Sequence, residues 1–218
     1  MQVIATQADL VEGLERLLAL DPRLHPVARV AGPLPLRRQP ADLAGLVQIV
    51  TAQQVSVASA AAIFQRLTLL IDPFERDTLA RLEDAELGAA GLSRPKIRTL
   101  RAVVAALDEG LDLAGLAGCP AQDAHRRLCE IRGIGPWTAD IFLLFCAGHP
   151  DIFPSGDLAL REAVRQAFEM PERPVPKVVD GLAERWAPVR GIAARLFWSY
   201  YRAVSGRSGL PVAAAGAE

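Results

Sequence analysis

Apolar residues recur three and four positions apart along most of the chain, as at Leu10, Leu14, Leu17 and Leu18 and again at Val103, Val104 and Leu107. That spacing lines one face of an α-helix, whereas a half-buried strand needs strict alternation, and no alternating stretch of any length occurs. The pattern predicts an all-α protein. Pro and Gly interrupt it at Asp21-Pro22, 32–40, Asp72-Pro73, Gly91, Gly110, 118–120, 133–136, 148–156, 171–176 and Pro188. About nine or ten helices fit between these breaks, joined mostly by short loops. The expected organisation is one folded unit of two helical lobes with a ligand-sized cleft between them. One lobe takes residues 40–120, the other 1–39 with 121–204, and the Ser, Gly and Ala of 205–218 read as a frayed tail.

With 218 residues and 51% apolar content, the chain can bury one large core or two modest ones. Its first residues lack a basic stretch ahead of an apolar run, and no uncharged apolar stretch reaches about 18 residues. Neither signal peptide nor membrane span is expected, and the cytoplasm, beside the bacterial nucleoid, is the default address. Cys119, Cys129 and Cys146 match no zinc or iron–sulfur spacing and are odd in number, so they read as core thiols. His25, His125 and His149 are scattered and form no motif. The net charge of −1 lacks the basic excess usual for a nucleic-acid binder. Lys occurs only at Lys96 and Lys177, however, so 22 of 24 cations are Arg, whose planar fork suits phosphate. Codon bias accounts for the same imbalance without any function.

The stretch Ile131-Arg132-Gly133-Ile134-Gly135-Pro136-Trp137-Thr138 reads as a Gly-x-Gly hairpin between two helices. Gly133 and Gly135 remove side chains from the turn, so backbone N–H groups can approach a phosphate closely. Pro136 suits a first helical turn, whose dipole also favours an anion. Such a site grips a nucleic-acid backbone without reading sequence, and the same residues also serve as a plain helix-to-helix turn. After the apolar helix comes Gly148-His149-Pro150-Asp151-Ile152-Phe153-Pro154-Ser155-Gly156-Asp157, a loop that delivers a carboxylate to the next helix start. Asp157 can be an N-cap, a catalytic carboxylate held ionised by the helix dipole, or both.

This hairpin followed by a Gly/Pro-rich loop and an Asp resembles the helix-hairpin-helix DNA glycosylase superfamily, and within it the 3-methyladenine DNA glycosylase II family. The resemblance extends to the Gln-Gln segment around Gln53 and Gln54, to Gly91-Leu92-Ser93-Arg94-Pro95-Lys96, and to Trp186-Ala187-Pro188-Val189-Arg190 through Trp198. It spans residues 40–202 in order. Larger bacterial members have a further N-terminal domain of about 80 residues, for which this chain has no room.

The resemblance implies a monofunctional glycosylase that flips an alkylated purine from damaged duplex DNA and hydrolyses its N-glycosidic bond, acting as a monomer. It implies Asp157 as the catalytic carboxylate, and Trp137 and Trp198 around the base, with Tyr200 or Tyr201 as further candidates. Gln54 and Gln53 fall where the family intercalates a side chain. Ile131, Arg132, Gly133, Ile134, Gly135, Thr138 and Lys96 fall on the DNA-binding surface, with Arg94, Arg98 and Arg101 as flanking cations. Each has a plain alternative: tryptophans belong in cores, and glutamines and cations on solvated faces. The backbone carbonyls of Cys129, Ile131 and Ile134 match positions that hold a monovalent or divalent cation in relatives. Trp137 stands where strand-cleaving relatives carry a nucleophilic lysine, so no Schiff base forms there. No catalytic cofactor and no iron–sulfur cluster are implied. The rival readings are a non-catalytic DNA-binding module and a monofunctional glycosylase for mismatched or oxidised bases.

Overall fold

The computed structural model describes residues 3–206, in which twelve α-helices and no strand occur. The surplus over the expected nine or ten comes from short helices that the breaks also permit, such as α5 (Arg76–Arg81) and α6 (Asp84–Ala89). The chain groups into two compact units: residues up to Arg38 with those from Gly148 on, and residues 39–147. The dividing line thus falls after Ala147 rather than near residue 120. The physical reason is packing around the hairpin, where α9 (Pro136–Phe142) lies against α3 (Leu43–Ala52) and Gly133 lies against Thr99 of α7 (Arg94–Asp108).

The first unit is built around α12 (Arg190–Ser205), whose residues from Gly191 to Ser199 are all buried. A helix buried on every side must be covered on every side, and α1 (Gln7–Leu20), α2 (His25–Ala31) and α10 (Leu158–Ala167) pack on it. Burying Phe197 and Trp198 fully contributes on the order of 2–3 kcal/mol each from area alone. Thr6 starts α1 with a reciprocal capping box to Asp9, and Gly206 ends α12 in the left-handed conformation. Most of the expected tail lies outside the described residues; Ser205 itself is helical. Asp21, itself buried, accepts from Arg23 and from the indole N–H of buried Trp186, and these bonds, Arg23 first, hold its carboxyl below the usual range.

In the second unit α3 is the central helix, N-capped by Asp42 and packed against α4 (Val57–Leu70), α7 and α9. Helix α7 buries Ile97, Leu100, Val103 and Val104; of the positions read from periodicity, Val103 and Val104 are buried and Leu107 is half-buried. Its Arg101 reaches the carbonyls of Leu79 and Leu82 and the carboxylate of Asp84, closing the ends of the short helices around it. Helix α8 (Ala121–Cys129) leads into the hairpin, and α9 continues into a buried π-turn, Leu143–Ala147. Of the three thiols only Cys146 is core; Cys119 and Cys129 are half-buried. Burial, with the charge of Asp140, pushes the Cys129 thiol up, so it stays protonated near neutral pH.

Candidate active site

The loop 148–157 belongs to the first unit and is fixed at several points. Gly148 has φ +70, and a Cβ there would meet the Arg38 guanidinium and the Ile4 carbonyl, so only glycine fits. His149 is fully buried and accepts the Asp151 N–H on Nδ1 at 3.1 Å. Asp151 takes a two-pronged ion pair from Arg190, at 2.7 Å to Nε and 2.8 Å to Nη2, while Gly191 N–H donates to the Pro150 carbonyl at 2.7 Å. Hydrogen bonding to Asp151 in turn raises the pKa of Arg190. Phe153 packs against Trp186 with the rings tilted and meets Phe197 edge-on, at centroid separations of 5.3 and 6.2 Å.

Asp157 ends this loop as the N-cap of α10, and it is 8% exposed. Its Oδ1 accepts from Leu160 N–H at 2.9 Å and from the Trp198 indole N–H at 3.3 Å. The two donors and the helix N-terminus fix this oxygen in one orientation, with the carboxylate aimed from the first turn of α10. The start and the middle of α12 therefore hold opposite ends of the loop, Arg190 and Gly191 at one and Trp198 at the other.

The hairpin belongs to the second unit. Ile131 and Ile134 are buried and pin the turn, while Arg132, Gly133, Gly135 and Pro136 are exposed. Gly133 has φ +93, and the Ile134 N–H donates back to the Ile131 carbonyl at 3.0 Å. Gly135 caps α9 with no side chain in the way. The result is an exposed backbone tip with buried apolar anchors, which suits an anion. Residues 47–188, which hold the hairpin, the loop and the Asp, match the HhH-GPD superfamily base excision DNA repair protein family.

The chain belongs to the HhH-GPD superfamily. It is 30% identical over 56% of its length to YfjP of Bacillus subtilis, assigned as a DNA-3-methyladenine glycosylase, covering 43% of that protein. It is 30% identical over 86% of its length to AlkA of Mycobacterium tuberculosis, assigned as a bifunctional transcriptional activator and DNA repair enzyme, covering 39% of it. The chain thus spans about two fifths of these relatives. Among solved structures, DNA-3-methyladenine glycosidase from Bacillus halodurans is similar with a TM-score of 0.82 and 28% identity, over 91% of this chain and 93% of that one.

In this HhH-GPD chain the predicted site residues fall in two places. Asp157 and Trp198 meet in the first unit, and the hairpin residues, Trp137, Thr138, Gln53, Gln54 and Lys96 lie in the second. Trp198 is fully buried and donates to Asp157, whereas Trp137 is half-exposed. Thr138 is buried, with its hydroxyl accepting from the Gln53 amide at 2.8 Å rather than facing outward. Lys96 donates to the Thr51 carbonyl at 2.7 Å, and Arg101 is committed to the ends of α5 and α6, so neither is a simple surface cation. Arg94 and Arg98 are exposed. Asp151, Arg190 and His149 went unassigned in the sequence, because Arg190 lies 39 positions from its partner and no local pattern joins them. Among the described residues no group of three His, Cys, Asp or Glu could hold a metal ion.

Proposed function

We propose that this protein is a monofunctional DNA glycosylase of base excision repair, acting on alkylated purines in duplex DNA, with Asp157 as the catalytic carboxylate. The observation that carries the reading is a nearly buried carboxylate at a helix N-terminus, oriented by Leu160 N–H and the Trp198 indole. The names of YfjP and of the Bacillus halodurans structure support the substrate class.

Extruding the nucleotide costs a few kcal/mol, and least for a lesion that pairs badly. A purine alkylated to a cation is a good leaving group, and the electron pair of the C1′–N bond departs with it. Positive charge grows on the sugar, and the Asp157 carboxylate stabilises it electrostatically. Water then bonds to C1′ and gives up its proton to the surrounding solvent. Trp137 offers no amine, so no covalent sugar adduct forms and the strand stays intact. The hairpin supplies the backbone grip through the exposed tip at Gly133 and Gly135. The carbonyls of Cys129, Ile131 and Ile134 are hard, neutral oxygens that fit a weakly held cation, and the Ile131 oxygen retains a lone pair beside its bond from Ile134. Such an ion would add positive charge near a phosphate.

The test is Asp157→Asn. Asn caps a helix about as well as Asp and keeps an oxygen for Leu160 and Trp198, so the fold survives while the charge is lost. Single-turnover release of 3-methyladenine or hypoxanthine should fall on the order of a hundredfold or more, with DNA binding kept or tightened. Excision within about threefold of the parent would make Asp157 a cap only. A parent that releases no base would leave a non-catalytic binding module.

A further inference from the structure

The two adjacent glutamines differ in what they touch. Gln54 is exposed and has φ 56, a left-handed conformation that a non-glycine residue holds only when its surroundings impose it. Gln53 is half-buried and spends its amide on the Thr138 hydroxyl, 85 positions away in sequence. Thr138 is 3% exposed and sits in the first turn of α9, the helix that the hairpin feeds. On the other side of the turn, the last carbonyls of α3 need partners, and the Lys96 ammonium caps that of Thr51. The turn at Gln54 is therefore held on one side by α7 and on the other by α9.

We infer that Gln53 is a positioning residue, a strut to Thr138 that fixes the strained Gln54 turn to the hairpin helix, so that Gln54 enters the base stack in register with the backbone grip. This rests on the glycosylase reading for its ligand, duplex DNA with a vacated base position. Gln53 itself does not intercalate. A side chain that must fill the space of an extruded base has to arrive at a set distance from the phosphates the hairpin holds, and a direct hydrogen bond between the two elements sets that distance without a moving part. Lys96 serves the same turn from behind rather than as a phosphate contact.

The experiment uses a duplex with a tetrahydrofuran abasic-site analogue and 2-aminopurine opposite it, whose fluorescence rises when an inserted side chain unstacks it. The full chain at saturation should raise the signal severalfold. Gln53→Ala and Thr138→Val should each cut that rise to roughly a third or less, Thr138→Ser, which keeps the hydroxyl, should restore it, and the double variant should be no worse than either single one. Affinity of Gln53→Ala for undamaged duplex should stay within about twofold, since its phosphate contacts are intact. The proposal is overturned if the parent gives no rise, if Gln53→Ala matches the parent, if Thr138→Ser is as impaired as Thr138→Val, or if the single losses multiply. Gln53 is half-buried, so Gln53→Ala decides the matter even where Thr138→Val loses its fold. Insertion at an abasic analogue does not involve Asp157, so failure of the glycosylase reading is seen separately, as absence of base release from a 3-methyladenine duplex.

Discussion

The hairpin and the Asp157 loop are both Gly/Pro-rich connections between helices, yet they are built on opposite plans. At the hairpin the working surface is backbone: the glycines and Pro136 are exposed, and the side chains that matter, Ile131 and Ile134, point into the core as anchors. At the loop the working group is a side chain, and the surrounding side chains hold it: Arg190 on Asp151, Phe153 on Trp186, and Trp198 on Asp157. On the proposed function, the difference follows from the task. A phosphate grip needs only N–H groups and room, and tolerates any sequence of bases. A carboxylate that stabilises a developing cation must be preorganised, and each supporting contact adds to that precision.

The largest effect expected on stability is at the hairpin. Gly133→Ala would place a Cβ 1.9 Å from the Thr99 hydroxyl and 2.9 Å from its Cβ, on a residue with φ +93. Thr99 is buried on α7 and cannot step aside. Strain and overpacking together should cost about 3 kcal/mol, a melting shift of roughly 6–12 °C for a chain of this size, with DNA affinity down more than about tenfold. Gly135→Ala sharpens the point. Gly135 has φ −89 and nothing lies within 4 Å of its added Cβ, so melting should stay put while DNA affinity falls. If Gly133→Ala melts and binds like the parent, the hairpin is not built on a close backbone approach.

Next comes Arg190→Ala at the loop. Asp151 is 10% exposed in its side chain, and removing its partner leaves a carboxylate with little water to replace the guanidinium. Stability should fall by about 2–3 kcal/mol, and base release by roughly tenfold as the loop loosens. Adding Asp151→Asn removes the stranded charge and should recover part of the melting loss but not the rate. Thermal melts with single-turnover excision check both. A double variant no more stable than Arg190→Ala would show that the pair is not what holds the loop.

The helices, the hairpin glycines and the Asp157 cap were legible because each is written in neighbouring residues: period 3.6, Gly-x-Gly before Pro, Asp before an apolar run. The boundary after Ala147 was not, because it depends on Thr99 meeting Gly133, 34 positions further along the chain. The Gln53–Thr138 bond and the Arg190–Asp151 pair were hidden for the same reason, as no periodicity relates residues 85 or 39 apart. Long cations misled differently. Lys96 and Arg101 look like surface charge in a sequence, but their stems are long enough to carry the head group to an uncapped carbonyl. Trp198 shows where such reading stops: its helical position places it inward, and nothing in the sequence says what its indole N–H will find.

Trp198→Phe carries the smallest predicted effect and separates two roles for that residue. Phe keeps most of the ring volume in a fully buried site, so the core should lose about 1 kcal/mol. The Trp198–Asp157 bond is long at 3.3 Å, and Leu160 still holds the same oxygen at 2.9 Å, so the carboxylate is loosened rather than released. The rate should fall about three- to tenfold, less than the full value of a hydrogen bond to a charged group because Leu160 keeps the carboxylate in place. Because the loss acts on the carboxylate, it should be the same for excision of cationic 7-methylguanine and neutral hypoxanthine. A tryptophan that instead faced the base would favour the cation through its ring, by about 0.5 to 2 kcal/mol, and its replacement would penalise 7-methylguanine selectively. Measuring both substrates with one enzyme preparation cancels errors in active fraction. A loss confined to 7-methylguanine would move Trp198 from support of Asp157 to the wall of the base pocket.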